Sequence, residues 1–303
     1  MNVGCSSEEQ IMMSNYETYL YNTDIYKADF FASDLAVTAD DTSEISFSIS
    51  EDIYGAGLFD ITDGTVYYGE NLFEPLYPAS TTKIVTAYVA LKYGNLDDVI
   101  TITEEDLDLP SDSSTCDLQV GDTLTLYDLI VGLLLRSGND NALAIARYIS
   151  GDADSFAELM NEEVAQLGAT GSNFVNPHGL HDDNHYTTVY DLYLVFNECI
   201  KNQTFLDIIT LTSYDTIIIE DDGIERAVTW TPTNAFATGE YTSPTNVAIL
   251  GGKTGYTDNA RYCLVLLEED PDGSQYISVI LGAAYKQTLY NEMAAMIAAL
   301  PNT

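Results

Sequence analysis

Ser80 and Lys83 stand three residues apart in Ser80-Thr81-Thr82-Lys83. On a helix that spacing puts a hydroxyl and an amine on one face, close enough for the amine to reach the hydroxyl. A serine becomes an effective nucleophile when a base lies within hydrogen-bond reach, and a lysine serves as that base once it has lost its proton. Two further stretches carry groups of the same kind. Ser137-Gly138-Asn139 reads as a tight turn between two apolar helical runs, and Lys253-Thr254-Gly255 follows Val247-Ala248-Ile249-Leu250 as a strand at a sheet edge. Singly, each has an ordinary structural reading. A Ser-x-x-Lys arises by chance about once in a chain of this size, Gly and Asn suit any turn, and Lys-Thr-Gly can simply close a strand. The placement of Lys83 inside an apolar run is more telling, because a lysine is rarely buried there without a functional reason.

The elements that must hold these residues follow from periodicity. After Pro78, Ile84, Ala87, Tyr88 and Leu91 recur at helical spacing and stop at Gly94, with few charges on any face, so a buried helix is expected. Helical runs follow over Leu126–Leu135, Asn141–Ile149 and Ser155–Leu167, the last closed by Gly168. A hairpin over Ala56–Ile61 and Thr65–Tyr68 turns at Asp63-Gly64. Strands return over Thr216–Ile219, Ala227–Trp230, Tyr262–Leu267 and Tyr276–Leu281, and a final helix spans about 287–300. The order strands, helices, strands, helix predicts an α+β fold with one antiparallel sheet built from both ends of the chain and a helical subdomain inserted between them.

Bulk properties exclude several classes. The chain has 303 residues, 46% of them hydrophobic, enough for a substantial core. With 48 acidic and 10 basic residues the formal charge is −38, which argues against nucleic-acid binding and against lying directly on an anionic membrane. No apolar run reaches the about 20 residues of a membrane-spanning helix. Cys116, Cys199 and Cys263 are widely spaced, show no zinc-ligand pattern and leave disulfide formation open. His178, His181 and His185 invite a metal reading, but no further Cys or His lies near them in sequence, so neither metal nor cofactor is expected.

Taken together and in this order, Ser-x-x-Lys, Ser-x-Asn and Lys-Thr-Gly resemble the motifs of the penicillin-binding proteins and serine β-lactamases. More narrowly, the chain resembles the serine D-alanyl-D-alanine carboxypeptidases of low molecular mass. The likeness covers about residues 31–303 and runs through Pro78-Ala79-Ser80-Thr81-Thr82-Lys83, Leu135-Arg136-Ser137-Gly138-Asn139-Asp140, Asn176-Pro177-His178-Gly179-Leu180 and Lys253-Thr254-Gly255-Tyr256-Thr257. It implies a β-lactamase/transpeptidase-like fold and removal of the terminal D-Ala from peptidoglycan stem peptides through an acyl-enzyme on Ser80, with β-lactams as covalent inhibitors. It further implies Lys83 as base, Ser137 and Asn139 as proton relay and amide holder, and Lys253 and Thr254 as the carboxylate site. The oxyanion hole would come from the backbone N–H groups of Ser80 and Tyr256, beside Gly255. The His-containing loop would border the site. One departure is Arg261, where the family often has Gly; an outward structural placement is expected, against a second carboxylate-binding cation.

The nearest rival, a β-lactamase, would need a deacylating residue, and the segment Gly168–Thr188 contains no Glu. A non-catalytic cell-wall-binding module would have no need of Ser80, Lys83 and Lys253 together. Residues 1–30 read as a tail and acidic, Tyr-rich spacer, and residues 31–303 as the catalytic domain, without a further C-terminal domain. Val3-Gly4-Cys5 followed by Ser6-Ser7 resembles the end of a bacterial lipoprotein signal, which makes Cys5 the expected lipid anchor of an extracytoplasmic envelope protein.

Overall fold

The computed structural model describes residues 35–301. The expected spacer and the anchor residue Cys5 lie outside these residues.

Six antiparallel strands form the main sheet: β1 (Thr42–Ser43), β2 (Gly55–Asp60), β3 (Val66–Glu70), β8 (Ala248–Thr257), β9 (Arg261–Glu269) and β10 (Gln275–Ala283), in the order β1-β3-β2-β10-β9-β8. The β2–β10 pairing, with Ser278 opposite Leu58, joins the two ends of the chain. The expected plan of a sheet built from both termini is therefore what the chain adopts. β9 and β10 are nearly continuous apolar runs because both faces are covered. Val265, Leu267, Ile277 and Val279 pack toward the helices, whereas Leu264, Leu266 and Ile280 pack under the C-terminal helix α7 (Lys286–Ala298), against Met293, Met296 and Ile297.

Between β3 and β8 lie α1 (Lys83–Tyr93), α2 (Leu126–Leu135), α3 (Asn139–Ser150), α4 (Ala153–Gln166), α5 (Val189–Cys199) and α6 (Gln203–Ile209). α1 is buried on nearly every face, as its lack of surface charge requires. α2 begins with a reciprocal cap, the Thr125 hydroxyl accepting from the Asp128 backbone while the Asp128 carboxylate accepts from Thr125.

One expectation needs correction. The hairpin β6 (Tyr214–Ile219) and β7 (Glu225–Trp230) does not join the main sheet; it forms a second sheet, β4-β5-β6-β7, with β4 (Val99–Thr101) and β5 (Thr123–Thr125). The reason is visible in side-chain chemistry. The Asp128 carboxylate accepts from the hydroxyls of Tyr214 at 2.8 Å and Thr216 at 2.7 Å, which ties β6 to the start of α2. The other face of the hairpin alternates exposed residues, as a sheet with one solvated side does.

Candidate active site

The site lies where the start of α1, the turn between α2 and α3, and edge strand β8 converge. Ala79–Thr82 forms a single 3-10 turn that runs into α1, so Ser80 sits at the end of a buried helix with Lys83 as its first residue. Ala79 has a left-handed backbone, φ 48°, an uncommon state for a residue with a Cβ and one that surrounding contacts must hold. Those contacts are present. His185 Nδ1 accepts from the Val175 N–H, so its Nε2 carries the proton and donates to the Thr82 hydroxyl at 2.8 Å, which donates to the Ala79 carbonyl. Burial pulls the His185 pKa down to about 4, which keeps the ring neutral and this tautomer fixed.

Lys83 is 0% exposed. Its Nζ lies 3.0 Å from Ser80 Oγ, 2.6 Å from Asn139 Oδ1 and 2.6 Å from the carbonyl of His178. Both carbonyl groups can only accept, so a neutral amine must spend its two N–H bonds on them and direct its lone pair at the Ser80 hydroxyl. The electrostatics favour that neutral form. Desolvation, and secondly the charge of Lys253, hold Lys83 well below the ordinary lysine range, against an opposing pull from Asp140.

Lys253, 1% exposed, reaches across from β8; its Nζ lies 2.9 Å from Ser137 Oγ and 2.8 Å from the Thr254 carbonyl, and burial lowers its pKa to about 7. Ser137 itself takes the left-handed backbone of the turn, φ 66°, a role that the sequence seemed to give to Gly138 or Asn139. Gly138 is needed for space instead: a Cβ there would come within 2.3 Å of Asn141 Oδ1 and 2.8 Å of Cys116 Sγ. Gly255 is likewise steric. A Cβ at that position would lie 2.9 Å from the Pro78 carbonyl and 3.0 Å from both Ser80 N and Thr81 N, so only glycine lets β8 lie against the serine turn.

These groups open on a cleft of about 410 Å³ lined by Ser80, Ser137, Thr233, Thr254, Gly255 and Tyr256, among others. Tyr256 is 51% exposed at its rim. Of the motif residues, Ser80, Ser137, Thr254, Gly255 and Tyr256 line the cleft, and Lys83, Asn139 and Lys253 are buried behind it, tied to Ser80 and Ser137 by the hydrogen bonds above. Two contributors were not legible in the sequence. Thr233, in the connection from β7 to β8, places its hydroxyl 2.5 Å from that of Thr254, and the His178 backbone carbonyl contacts Lys83. Neither could be foreseen, since a carbonyl has no sequence signature and Thr233 sits in an unpatterned loop.

Arg261 turns away from the carboxylate-binding role. At φ 59° it begins β9 and lays its guanidinium 4.3 Å from the Tyr54 ring centroid. The left-handed backbone is the physical reason that glycine suits the position. The histidines do not share a ligand set: His178 Nδ1 accepts from the Leu180 N–H, His181 meets Asn259 at 3.0 Å, and His185 serves the serine turn. Cys116, Cys199 and Cys263 are buried free thiols.

A serine hydroxyl hydrogen-bonded to a buried lysine thus lies beside a second buried lysine on a sheet edge, the arrangement that the resemblance of the three motifs implies. Residues 52–285 match the D-alanyl-D-alanine carboxypeptidase peptidase family, and the chain belongs to it. It is 32% identical over 232 residues to the D-alanyl-D-alanine carboxypeptidase DacA of Haemophilus influenzae, covering 74% of this chain and 56% of that protein. It is 29% identical over 239 residues to the carboxypeptidase DacF of Bacillus subtilis, covering 78% and 59%. The chain therefore spans less than two thirds of the length of these relatives. The crystal structure of the Streptomyces K15 DD-transpeptidase shares the fold, with a TM-score of 0.74, 27% identity, and coverage of 86% of this chain and 98% of that one.

Proposed function

We propose that the chain is a serine D-alanyl-D-alanine carboxypeptidase that removes the terminal D-Ala of peptidoglycan stem peptides. The observation that carries the reading is the contact set of Lys83, two carbonyl acceptors and the Ser80 hydroxyl, which orients a neutral amine as the base. Ser80 Oγ attacks the carbonyl carbon of the penultimate D-Ala while its proton passes to Lys83 Nζ. The oxyanion is held by the backbone N–H groups of Ser80 and Tyr256. As the tetrahedral intermediate collapses, the C–N bond breaks and the departing amine takes a proton through Ser137 Oγ, which Lys253 holds in place. The free carboxylate of the substrate lies against the Thr254 and Thr233 hydroxyls and the charge of Lys253, and Asn139 orients the substrate amide. Water then cleaves the ester and restores Ser80. A β-lactam would acylate Ser80 by the same attack, its ring amide taking the place of the peptide bond.

One observation favours a second outcome of the same acyl-enzyme. The Streptomyces K15 protein is described as a transpeptidase, and an amine acceptor in place of water would make this chain transfer the acyl group. Among the described residues, no helix is long and apolar enough to cross a membrane. An envelope location with attachment through a lipidated Cys5 is the placement that suits this substrate.

The test is release of D-Ala from a peptide ending in D-Ala-D-Ala, with and without a D-amino-acid acceptor. The wild type should release D-Ala, and Ser80→Ala should lose turnover while keeping its melting temperature. Equal release by Ser80→Ala would remove Ser80 from the mechanism; exchange product without net hydrolysis would establish the transfer reading.

A further inference from the structure

The Ser137–Asn139 turn is held from behind by a segment that no motif marked. Residues 110–118, a turn closed by the Ser113 N–H on the Pro110 carbonyl followed by an irregular stretch with Asp117 at φ 58°, lie between two cavities. Asp112 and Ser114 line the active-site cleft, whereas Ser111, Ser113, Thr115 and Asp117 face a separate cavity of about 400 Å³ on the other side. The segment is thus a thin partition whose position decides where that wall of the cleft stands. Its link to the site is direct, since the Asn139 N–H donates to the Ser114 carbonyl at 2.8 Å, and Ser114 Oγ donates to the Arg136 carbonyl at 3.1 Å.

One side chain fastens this partition. Asp140, the residue after Asn139, is fully buried; its carboxylate accepts from the N–H groups of Cys116 at 2.9 Å, Leu118 at 3.2 Å and Asn141 at 3.0 Å. Burial raises the Asp140 pKa, but the backbone N–H groups oppose it; all of these partners are donors, so a proton on Asp140 would have no acceptor among them, and the arrangement favours the carboxylate anion.

We propose that Asp140 is a positioning residue of the reaction: it pins the 110–118 partition against the Ser137–Asn139 turn, and its buried negative charge faces Lys83. The two effects act on one proton transfer. The first keeps Asn139 Oδ1 at 2.6 Å from Lys83 Nζ, so the lone pair stays aimed at Ser80. The second opposes the fall in Lys83 basicity. The groups that face Lys83 are Lys253 from β8, Asp140 from α3, Cys116 from the partition, and the rings of His178 and His185 from the loop before α5. Both rings are held neutral by burial, and burial holds the Cys116 thiol well above its usual range. Among the described residues Asp140 is then the one anion set against Lys253 and desolvation. Without it Lys83 would lose its proton more readily and be a weaker base once free.

This inference rests on the reading of Lys83 as the base, and the experiment separates the two. The rate of penicillin acylation is followed by intact mass across pH for wild type, Asp140→Asn and Asp140→Glu. Acylation of the wild type tests the underlying reading; its absence would remove that reading and this one with it. If Asp140 acts as proposed, Asp140→Asn shifts the acid limb of the profile to lower pH by about one unit and lowers the plateau about tenfold or more. Asp140→Glu, which keeps the charge but moves it, returns the limb and not the plateau. A folded Asp140→Asn with its acid limb unmoved would overturn the proposal even if its rate were low, because a merely structural aspartate predicts that result. Amide exchange in the wild type gives a readout independent of folding in any variant. The Cys116 and Leu118 amides should be protected to the level of the core helices, and exchange at the rate of open loops would contradict the pinning.

Discussion

On the proposed mechanism the two buried lysines would do different work because their surroundings differ. Lys83, facing carbonyl acceptors and a serine, would act as a base only when neutral, and Lys253, hydrogen-bonded to Ser137, would act as a cation only when charged. Activity should therefore rise with pH as Lys83 loses its proton, well below pH 10.5, and KM should rise above about pH 7 as Lys253 does the same. A kcat/KM profile with an alkaline limb that is moved by Lys253→Arg, while the acid limb stays, would support this assignment. An alkaline limb untouched by that change would contradict it. The residue identities were legible because only 10 basic side chains exist in the chain and two of them fall on motif lysines. What lay beyond reach of the sequence were the partners without side-chain signature: the His178 carbonyl, and the backbone amides gathered by Asp140.

The placement of elements was legible wherever burial left a period. Helix α1 shows apolar residues at helical spacing, and β9 and β10 are nearly continuous apolar runs, so all three were foreseen. The stretch forming α5 carried a signal that went unused, a Thr188 cap with Asp191 three residues on and Leu192, Val195, Phe196 and Cys199 on one face. The two-residue β1 and three-residue β4 and β5 are too short to show any period, and for that reason the second sheet was not foreseen. The close approach of β8 to the serine turn gives a sharp prediction. Gly255→Ala places a methyl against backbone atoms of Pro78, Ser80 and Thr81, none of which can swing aside as a side chain would. Acylation of Ser80 should fall about 100-fold or more while the fold persists. A folded Gly255→Ala variant with a wild-type acylation rate would show that the close approach is incidental.

Over the whole molecule, charge and burial oppose the site's chemistry. At a formal charge of −38 the protein would repel the proposed carboxylate-terminated substrate at long range, and Lys253 would attract it only nearby. Since surface charges are screened beyond a Debye length of about 8 Å at physiological salt, kcat/KM should first rise with added salt and fall only when Lys253 is screened too. A monotonic fall from the lowest ionic strength would count against this. Stability depends on a buried carboxyl group as well. Glu268 of β9 is fully buried; among the described residues its oxygens have no well-formed hydrogen bond, and burial pushes its pKa up to about 8 against a smaller opposing pull from the Ser278 hydroxyl. The folded chain then binds a proton that the unfolded chain has released above about pH 4.5, so this group's stabilising proton is lost as pH rises toward 8. Glu268→Gln should gain in melting temperature over wild type across that window, by on the order of 5 °C at pH 8. An unchanged difference from pH 5 to 8 would mean that Glu268 finds a partner in solution.

The central claim is a covalent intermediate on Ser80 formed by a neutral Lys83. Intact mass after incubation with a penicillin, followed by peptide mapping, tests it most directly. A slowly lost adduct of one penicilloyl group on the peptide holding Ser80, absent from Lys83→Met, is the predicted result. Rapid turnover of the drug would indicate a β-lactamase. No adduct, together with no D-Ala release, would contradict the account and favour a cell-wall-binding module.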